Sequence, residues 1–177
     1  MAPPFLRRGR LLGEEVGMAK KKRLVGLTAY IAGPLFTQAE RTWNAKLARW
    51  LRKLGYQVVL PQEAAENMLA EKASFDPQAL FDNAVNGLEA SDMVIAVLDG
   101  PDSDSGTAWE CGYAWKLGLP IIGVRTDLRA GGDDISRPVN LMLARSCREF
   151  LIIAASTRTV QAVANQIHEV LQRVERR

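Results

Sequence analysis

Histidine and cysteine are scarce in this chain: there is one histidine, His168, and two cysteines, Cys111 and Cys147. Neither thiol has a neighbour at zinc-ligand spacing, and two isolated cysteines make no disulfide framework. Both read as small buried hydrophobes, and His168, in a helical pattern near the C-terminus, reads as a surface residue. No metal centre is expected, so chemistry has to rest on carboxylates, amides and hydroxyls. Long apolar runs are also missing. No stretch approaches the ~20 uninterrupted apolar residues of a membrane-crossing helix. The opening MAPPFLRRGRLLGEEVG has neither the apolar core nor the cleavage site of a secretory signal. A soluble, cytoplasmic protein with no membrane partner is the expectation. Charge of one sign is not concentrated either: 23 Lys and Arg against 20 Asp and Glu leave +3. Much of that excess sits at the ends, in Arg7, Arg8, Arg10, Lys20 to Arg23, Arg173, Arg176 and Arg177. Without a basic stripe interleaved with aromatics, nucleic acid is not an expected partner.

What is present suffices for one buried core: 177 residues, 47% of them hydrophobic. Residues 1–22 lack hydrophobic periodicity and carry Pro3, Pro4, Gly9, Gly13 and Gly17, which predicts a flexible basic extension, with Met18 an alternative start. A single domain is expected over residues 23–177. LVGLTAYIAG, from Leu24 to Gly33, reads as a strand buried on both faces. Trp43, Leu47, Trp50, Leu51 and Leu54 then recur at helical spacing until Gly55. YQVVLP is a second strand, and a polar stretch leads to a helix from about Pro77 to Ala90. DMVIAVLDG is a third strand, Asp104 to Leu117 a helix, and PIIGVRTD a fourth strand. After a loop over Arg129 to Pro138 and the segment NLML come a fifth strand, REFLIIAA, and a closing helix from Thr157 to Arg173. Apolar strands alternating with helices imply a parallel sheet covered on both faces by right-handed crossovers. The expected architecture is α/β, a flavodoxin-like doubly wound sheet of five strands. Such sheets bind ligands beyond the carboxyl ends of their strands, where strand order reverses.

The third strand runs into LDGPDSDSGTAWECGYA, which holds Asp99, Asp102, Asp104 and then Glu110. Asp104 suits a helix N-cap, accepting from the free backbone N–H groups of the first turn. Glu110 is harder to explain structurally, because its neighbours at helical spacing are Gly106, Tyr113, Ala114 and Leu117. That stripe is expected to face the sheet, and an ionised carboxylate placed there needs hydrogen bonds or an open pocket. Gly106 and Ala108 would leave room for a substrate, whereas Trp109 and Trp115 read as core residues.

Three motifs, YIAGPLF, DSGTAWECGYA and RPVNLML, occur in an order and spacing that resembles the nucleoside 2-deoxyribosyltransferase family over roughly residues 24–155. The resemblance implies that Glu110 is the nucleophile, that Asp104 positions the sugar or handles a proton, and that Tyr30 orients Glu110. It implies substrate contacts from Gly33, Pro34, Phe36, Asp82, Asn86, Asp99, Gly106, Asn140 and Met142. Asn140 would be donated to the site of a neighbouring subunit, so a homo-oligomer is implied. Deoxynucleosides and free nucleobases would be the substrates, with no cofactor. One departure stands out: a second aspartate found in family members before the third strand falls on Ala84 here. Asp82, Asn83 and Asn86 are nearby, but a shift of two residues turns a helical side chain by about 200°. Proton delivery to the leaving base would then fall to Asp104, Asp99 or water.

The implied chemistry follows retaining glycosidases, with a carboxylate attacking C1′ while the base leaves protonated. Two other readings are open. One is a hydrolase of nucleoside 5′-monophosphates, with Ser103, Ser105 and the helix N-terminus binding phosphate. The other is a non-catalytic nucleotide-binding module.

Overall fold

The computed structural model describes residues 26–71, 76–127, 129, 139–153 and 159–174. The predicted extension at 1–22 lies outside them, as does all of the 129–138 loop but Arg129. Five short strands, β1 (Thr28–Ala32), β2 (Gln57–Val59), β3 (Met93–Val97), β4 (Ile121–Arg125) and β5 (Glu149–Ile152), form one sheet. Every pairing is parallel, and the order is β2-β1-β3-β4-β5. This is the flavodoxin-like arrangement, and its reversal falls between β1 and β3, where Tyr30 is level with Val94.

Successive strand side chains point to opposite faces, so the sheet divides the core in two. Ala29, Ile31, Ile95 and Val124 pack under α1 (Gln38–Lys53) and α6 (Val160–Val174). Tyr30, Ala32, Val94 and Ala96 face the opposite layer, with Leu88 of α3 (Pro77–Glu89), Cys111 and Ala114 of α4 (Ser105–Leu117), and Leu143 of α5 (Leu141–Ser146). Both predicted faces are therefore covered.

Local chemistry sets the helix ends. Thr37 and Glu40 form a capping box at the start of α1: Glu40 N donates to Thr37 Oγ1 at 3.2 Å, and Thr37 N donates to Glu40 Oε2 at 2.8 Å. Its end is a Schellman turn in which Tyr56 N donates to Leu51 O and Gly55 N to Arg52 O. Gly55 holds φ +96, in the left-handed region that glycine adopts without Cβ strain. That turn sends the chain straight into β2.

Two segments differ from the sequence reading. The polar stretch after β2 contains a helix, α2 (Pro61–Glu71), because Gln, Glu, Ala, Met and Leu are strong helix formers and Pro61 suits a first helical position. Its weak apolar periodicity hid it. The NLML segment likewise opens a helix, α5, capped by Asn140. His168 is also not a free surface side chain. Its Nδ1 lies 2.7 Å from the Tyr56 hydroxyl, and its Nε2 lies 2.9 Å from Gln172 Nε2. Among the described residues no helix is long and apolar enough to cross a membrane.

Candidate active site

At the switch point β1 and α4 are joined by a hydrogen bond as well as by packing. The Tyr30 hydroxyl donates to Glu110 Oε1 at 2.6 Å. Tyr30 is fully buried, its ring against α3 at Gly87, where an added Cβ would meet Tyr30 Cε2 at 3.1 Å and Val59 Cγ1 at 3.0 Å. Glycine at that position is what lets the ring lie flat under the helix. Among the described residues the second carboxylate oxygen of Glu110, Oε2, accepts no hydrogen bond.

Burial dominates the electrostatics of Glu110 and raises its pKa from 4.5 to about 7. The tyrosine hydrogen bond opposes that rise, and the charge of Asp104 adds to it. Tyr30 is pushed upward, by burial first and then by the adjacent carboxylate, so it stays a neutral donor. Burial also raises Cys111 to about 12 and Cys147 to about 11, which leaves both as thiols at neutral pH.

Asp104 is the N-cap of α4: its Oδ2 accepts from Thr107 N at 2.8 Å and from Thr107 Oγ1 at 2.9 Å. A Cβ on Gly106 would stand 3.2 Å from that same oxygen, so the missing side chain lets the carboxylate fold over the helix start. The stripe of α4 that faces the sheet is Thr107, Cys111 and Ala114. Glu110 flanks this stripe rather than lying in it, since Gly106 and Leu117 on its side of the helix are exposed. The face expected from spacing alone is thus turned outward by part of a turn.

Gly33 and Pro34 follow β1 directly. A Cβ at Gly33 would lie 3.1 Å from Val97 Cβ, and the carbonyl of Pro34 accepts from buried Asn44 at 2.9 Å. Phe36 beyond them is 76% exposed. Asp82 is exposed and accepts from Gln78 one turn earlier, and it points about 140° away from the Gly87 side of α3. Asn86 is also exposed, and neither side chain hydrogen-bonds to Tyr30 or Glu110 among the described residues. Asp99 is occupied elsewhere: Thr126 N, Thr126 Oγ1 and Asp127 N all donate to its carboxylate.

Asn140 and Met142 lie on another side of α4. Asn140 caps α5 by accepting from Met142 N at 2.9 Å, and Met142 is 77% exposed. Both line a groove of about 520 Å³ with Ser105, Ala108, Gly112 and Trp115. Ala108 precedes Glu110 by two residues, a rotation of about 200°, so groove and carboxylate occupy opposite sides of one helix. Trp109 and Trp115 are not core residues: they are 47% and 61% exposed. Trp109 stacks on Tyr113 at 5.3 Å and leans on Phe81 at 5.4 Å, an aromatic cluster that bridges α3 and α4.

Sequence reasoning missed Asn44, Gly87, Arg125 and Asp127. Asn44 had a visible signal, being a polar residue within the apolar stripe Leu47, Ala48 and Leu51. Arg125 had one as well, a charge ending an otherwise apolar strand.

The sheet, the buried tyrosine and the Glu110 carboxyl it holds define a flavodoxin-like α/β protein with an acid at its switch point. The chain belongs to the nucleoside 2-deoxyribosyltransferase family, whose sequence model matches residues 29–142. That span contains Tyr30, Asp104, Glu110 and Asn140. Among solved structures, the chain is similar to a conserved protein from Enterococcus faecalis V583, with 26% identity, TM-score 0.65, and 82% and 99% of the two chains covered. It is also similar to a 2-deoxyribosyltransferase from Bacillus psychrosaccharolyticus, with 25% identity, TM-score 0.59, and coverage of 78% and 90%. A 2-desoxiribosyltransferase from Leishmania mexicana shares the fold at 23% identity and TM-score 0.56, with coverage of 70% and 89%. A search of curated protein sequences finds no match.

Proposed function

We propose that this protein moves 2-deoxyribose between nucleobases through a deoxyribosyl ester on Glu110, with net retention at C1′. The observation that carries the proposal is the half-buried Glu110 carboxylate. Tyr30 holds one of its oxygens, the other has no partner among the described residues, and its pKa is about 7. A carboxylate steadied at one oxygen presents the second along a fixed direction, as attack on an anomeric carbon requires.

The steps balance as follows. Oε2 of Glu110 bonds to C1′ as the C1′–N bond breaks, and its electrons pass to the base, which leaves with a proton. Asp104 or a water molecule supplies that proton. A nitrogen of the second base then bonds to C1′, the Glu110 carboxylate is released, and the incoming base gives up its proton. The missing 2′-hydroxyl makes the oxocarbenium-like transition state easier to reach, and a nearby carboxylate stabilises its charge. The family assignment and the likeness to the Bacillus psychrosaccharolyticus enzyme support this reading.

We also propose that two or more copies assemble. Exposed Asn140 and Met142 lie across α4 from Glu110, so they are better placed to meet a neighbouring copy than the Glu110 carboxyl of their own chain.

The test is incubation with a deoxynucleoside and a different free base. A new deoxynucleoside, together with a deoxyribosyl adduct on the Glu110 peptide after acid quench, is the expected result. Sugar release from a deoxynucleoside 5′-monophosphate with no base exchange would overturn transfer in favour of hydrolysis. Ligand binding without turnover, unaltered in Glu110→Ala, would reduce the protein to a binding module.

A further inference from the structure

We propose that Arg125, at the end of β4, is a positioning residue that together with Asp99 and Asp127 fixes the turn from which α4 departs, and hence the placement of Asp104 and Glu110. The catalytic part of this inference rests on the reading of Glu110 given above. Arg125 is 1% exposed, although guanidinium groups are rarely buried so fully. Its Nη1 donates to Leu98 O at 2.6 Å, and its Nη2 donates to Gly100 O at 2.9 Å and to Arg129 O at 2.7 Å. One planar side chain thus holds two carbonyls of the loop after β3 and one of the loop after β4.

The acids complete the lock from the other direction. Asp99 accepts from Thr126 N, Thr126 Oγ1 and Asp127 N at 2.5, 2.6 and 2.9 Å. Asp127 Oδ2 accepts from Gly100 N at 3.1 Å and is itself gripped by Arg129. Both backbone polar groups of Gly100 are therefore fixed by the end of β4. Gly100 holds φ +109, and a Cβ there would stand 2.9 Å from Asp102 O, so no other residue makes this turn without strain. Four residues later comes Asp104, the cap of α4, and then Glu110.

Burying a guanidinium forfeits its hydration, which the three carbonyl bonds have to offset. What arginine supplies is direction: a rigid fork reaches three acceptors at once, which a flexible ammonium does not. The lock lies at the strand ends flanking the switch point, where a small rotation of α4 would misplace a nucleophile. Among the described residues the titratable groups that interact with Glu110 are Tyr30 from β1, Asp104 from the cap and Cys111 of α4, and of these only Asp104 is held directly at the locked loop.

The test compares Arg125→Met, Arg125→Lys and Asp99→Asn with the parent, by amide hydrogen exchange and by pH profiles of base exchange. In Arg125→Met, protection at Gly100 and Thr107 is expected to fall about tenfold or more while Ile31 and Ile95 in the sheet keep theirs. Its kcat is expected to fall about tenfold with little change in KM, because a misplaced nucleophile loses transition-state contact. The acid limb of the profile moves to lower pH as Asp104 drifts from Glu110. Arg125→Lys recovers part of each change. Should Arg125→Met fail to fold, Asp99→Asn and Arg125→Lys carry the same readouts. Unchanged protection at Gly100 and Thr107 would overturn the lock, as would a kcat loss matching only the unfolded fraction with an unmoved limb. If the parent shows no exchange activity, the proposed function fails, and amide protection alone decides the lock.

Discussion

The Tyr30 hydroxyl reaches Oε1 of Glu110 at 2.6 Å across 80 positions of sequence, tying the first strand to the fourth helix. Tyr30→Phe removes a proton donor that favours the ionised acid, so the Glu110 pKa rises above about 7. The acid limb of kcat/KM moves to higher pH, and activity at pH 6 falls by about tenfold. A pH profile of base exchange checks this, and a limb that stays in place refutes it.

Glu110→Gln should make the protein more stable at alkaline pH while abolishing transfer. The folded pKa of about 7 lies above the ordinary 4.5, so between those values the folded state holds more protons than the unfolded one. Stability of the parent therefore falls as pH rises through that window, by roughly 3 kcal/mol in full. Thermal melts at pH 4.5 and pH 8 should show the variant gaining its advantage only at the higher pH. An advantage independent of pH contradicts the argument.

Besides its candidate part in proton delivery, Asp104 caps α4 and, when ionised, places negative charge near Glu110. Asparagine caps as well as aspartate, so Asp104→Asn should keep its melting temperature, whereas Asp104→Ala loses about 1 kcal/mol. Both variants remove the charge, so both should move the acid limb to lower pH. Equal stability losses in the two variants would contradict the capping assignment.

Mixing two dead proteins tests the shared site. Glu110→Ala and Asn140→Ala are each expected to be nearly inactive, and exchange of subunits between them should restore one intact site per mixed pair. For a dimer with random pairing this gives about a quarter of the parental activity. No recovery after verified subunit exchange would place Asn140 in the site of its own chain.

The fold was readable because its strands are short apolar runs bounded by glycine, proline and aspartate, and because Gly55 and Asp104 punctuate helix ends in the usual way. Glu110 was readable as a carboxylate on a mostly apolar side of a helix. What escaped were residues whose meaning depends on partners distant in sequence. Arg125 bonds to carbonyls 25 and 27 positions away, and no local pattern announces which ones. Asp99 was expected at the substrate because acids cluster after β3, yet its partners come from the end of β4. The helix α2 escaped because helix-forming residues without an apolar stripe look like a polar loop.

The aromatic cluster beside Glu110 makes the protein report on itself optically. Trp109 is half in solvent directly before Glu110, whereas Trp43 and Trp50 are partly buried against the opposite layer and Trp115 borders the groove across α4. On the proposed site and assembly, a ligand arriving at the carboxylate would alter the surroundings of Trp109, and contact between copies would alter those of Trp115. With one or the other indole replaced by phenylalanine, fluorescence emission follows substrate arrival and subunit association as two independent signals.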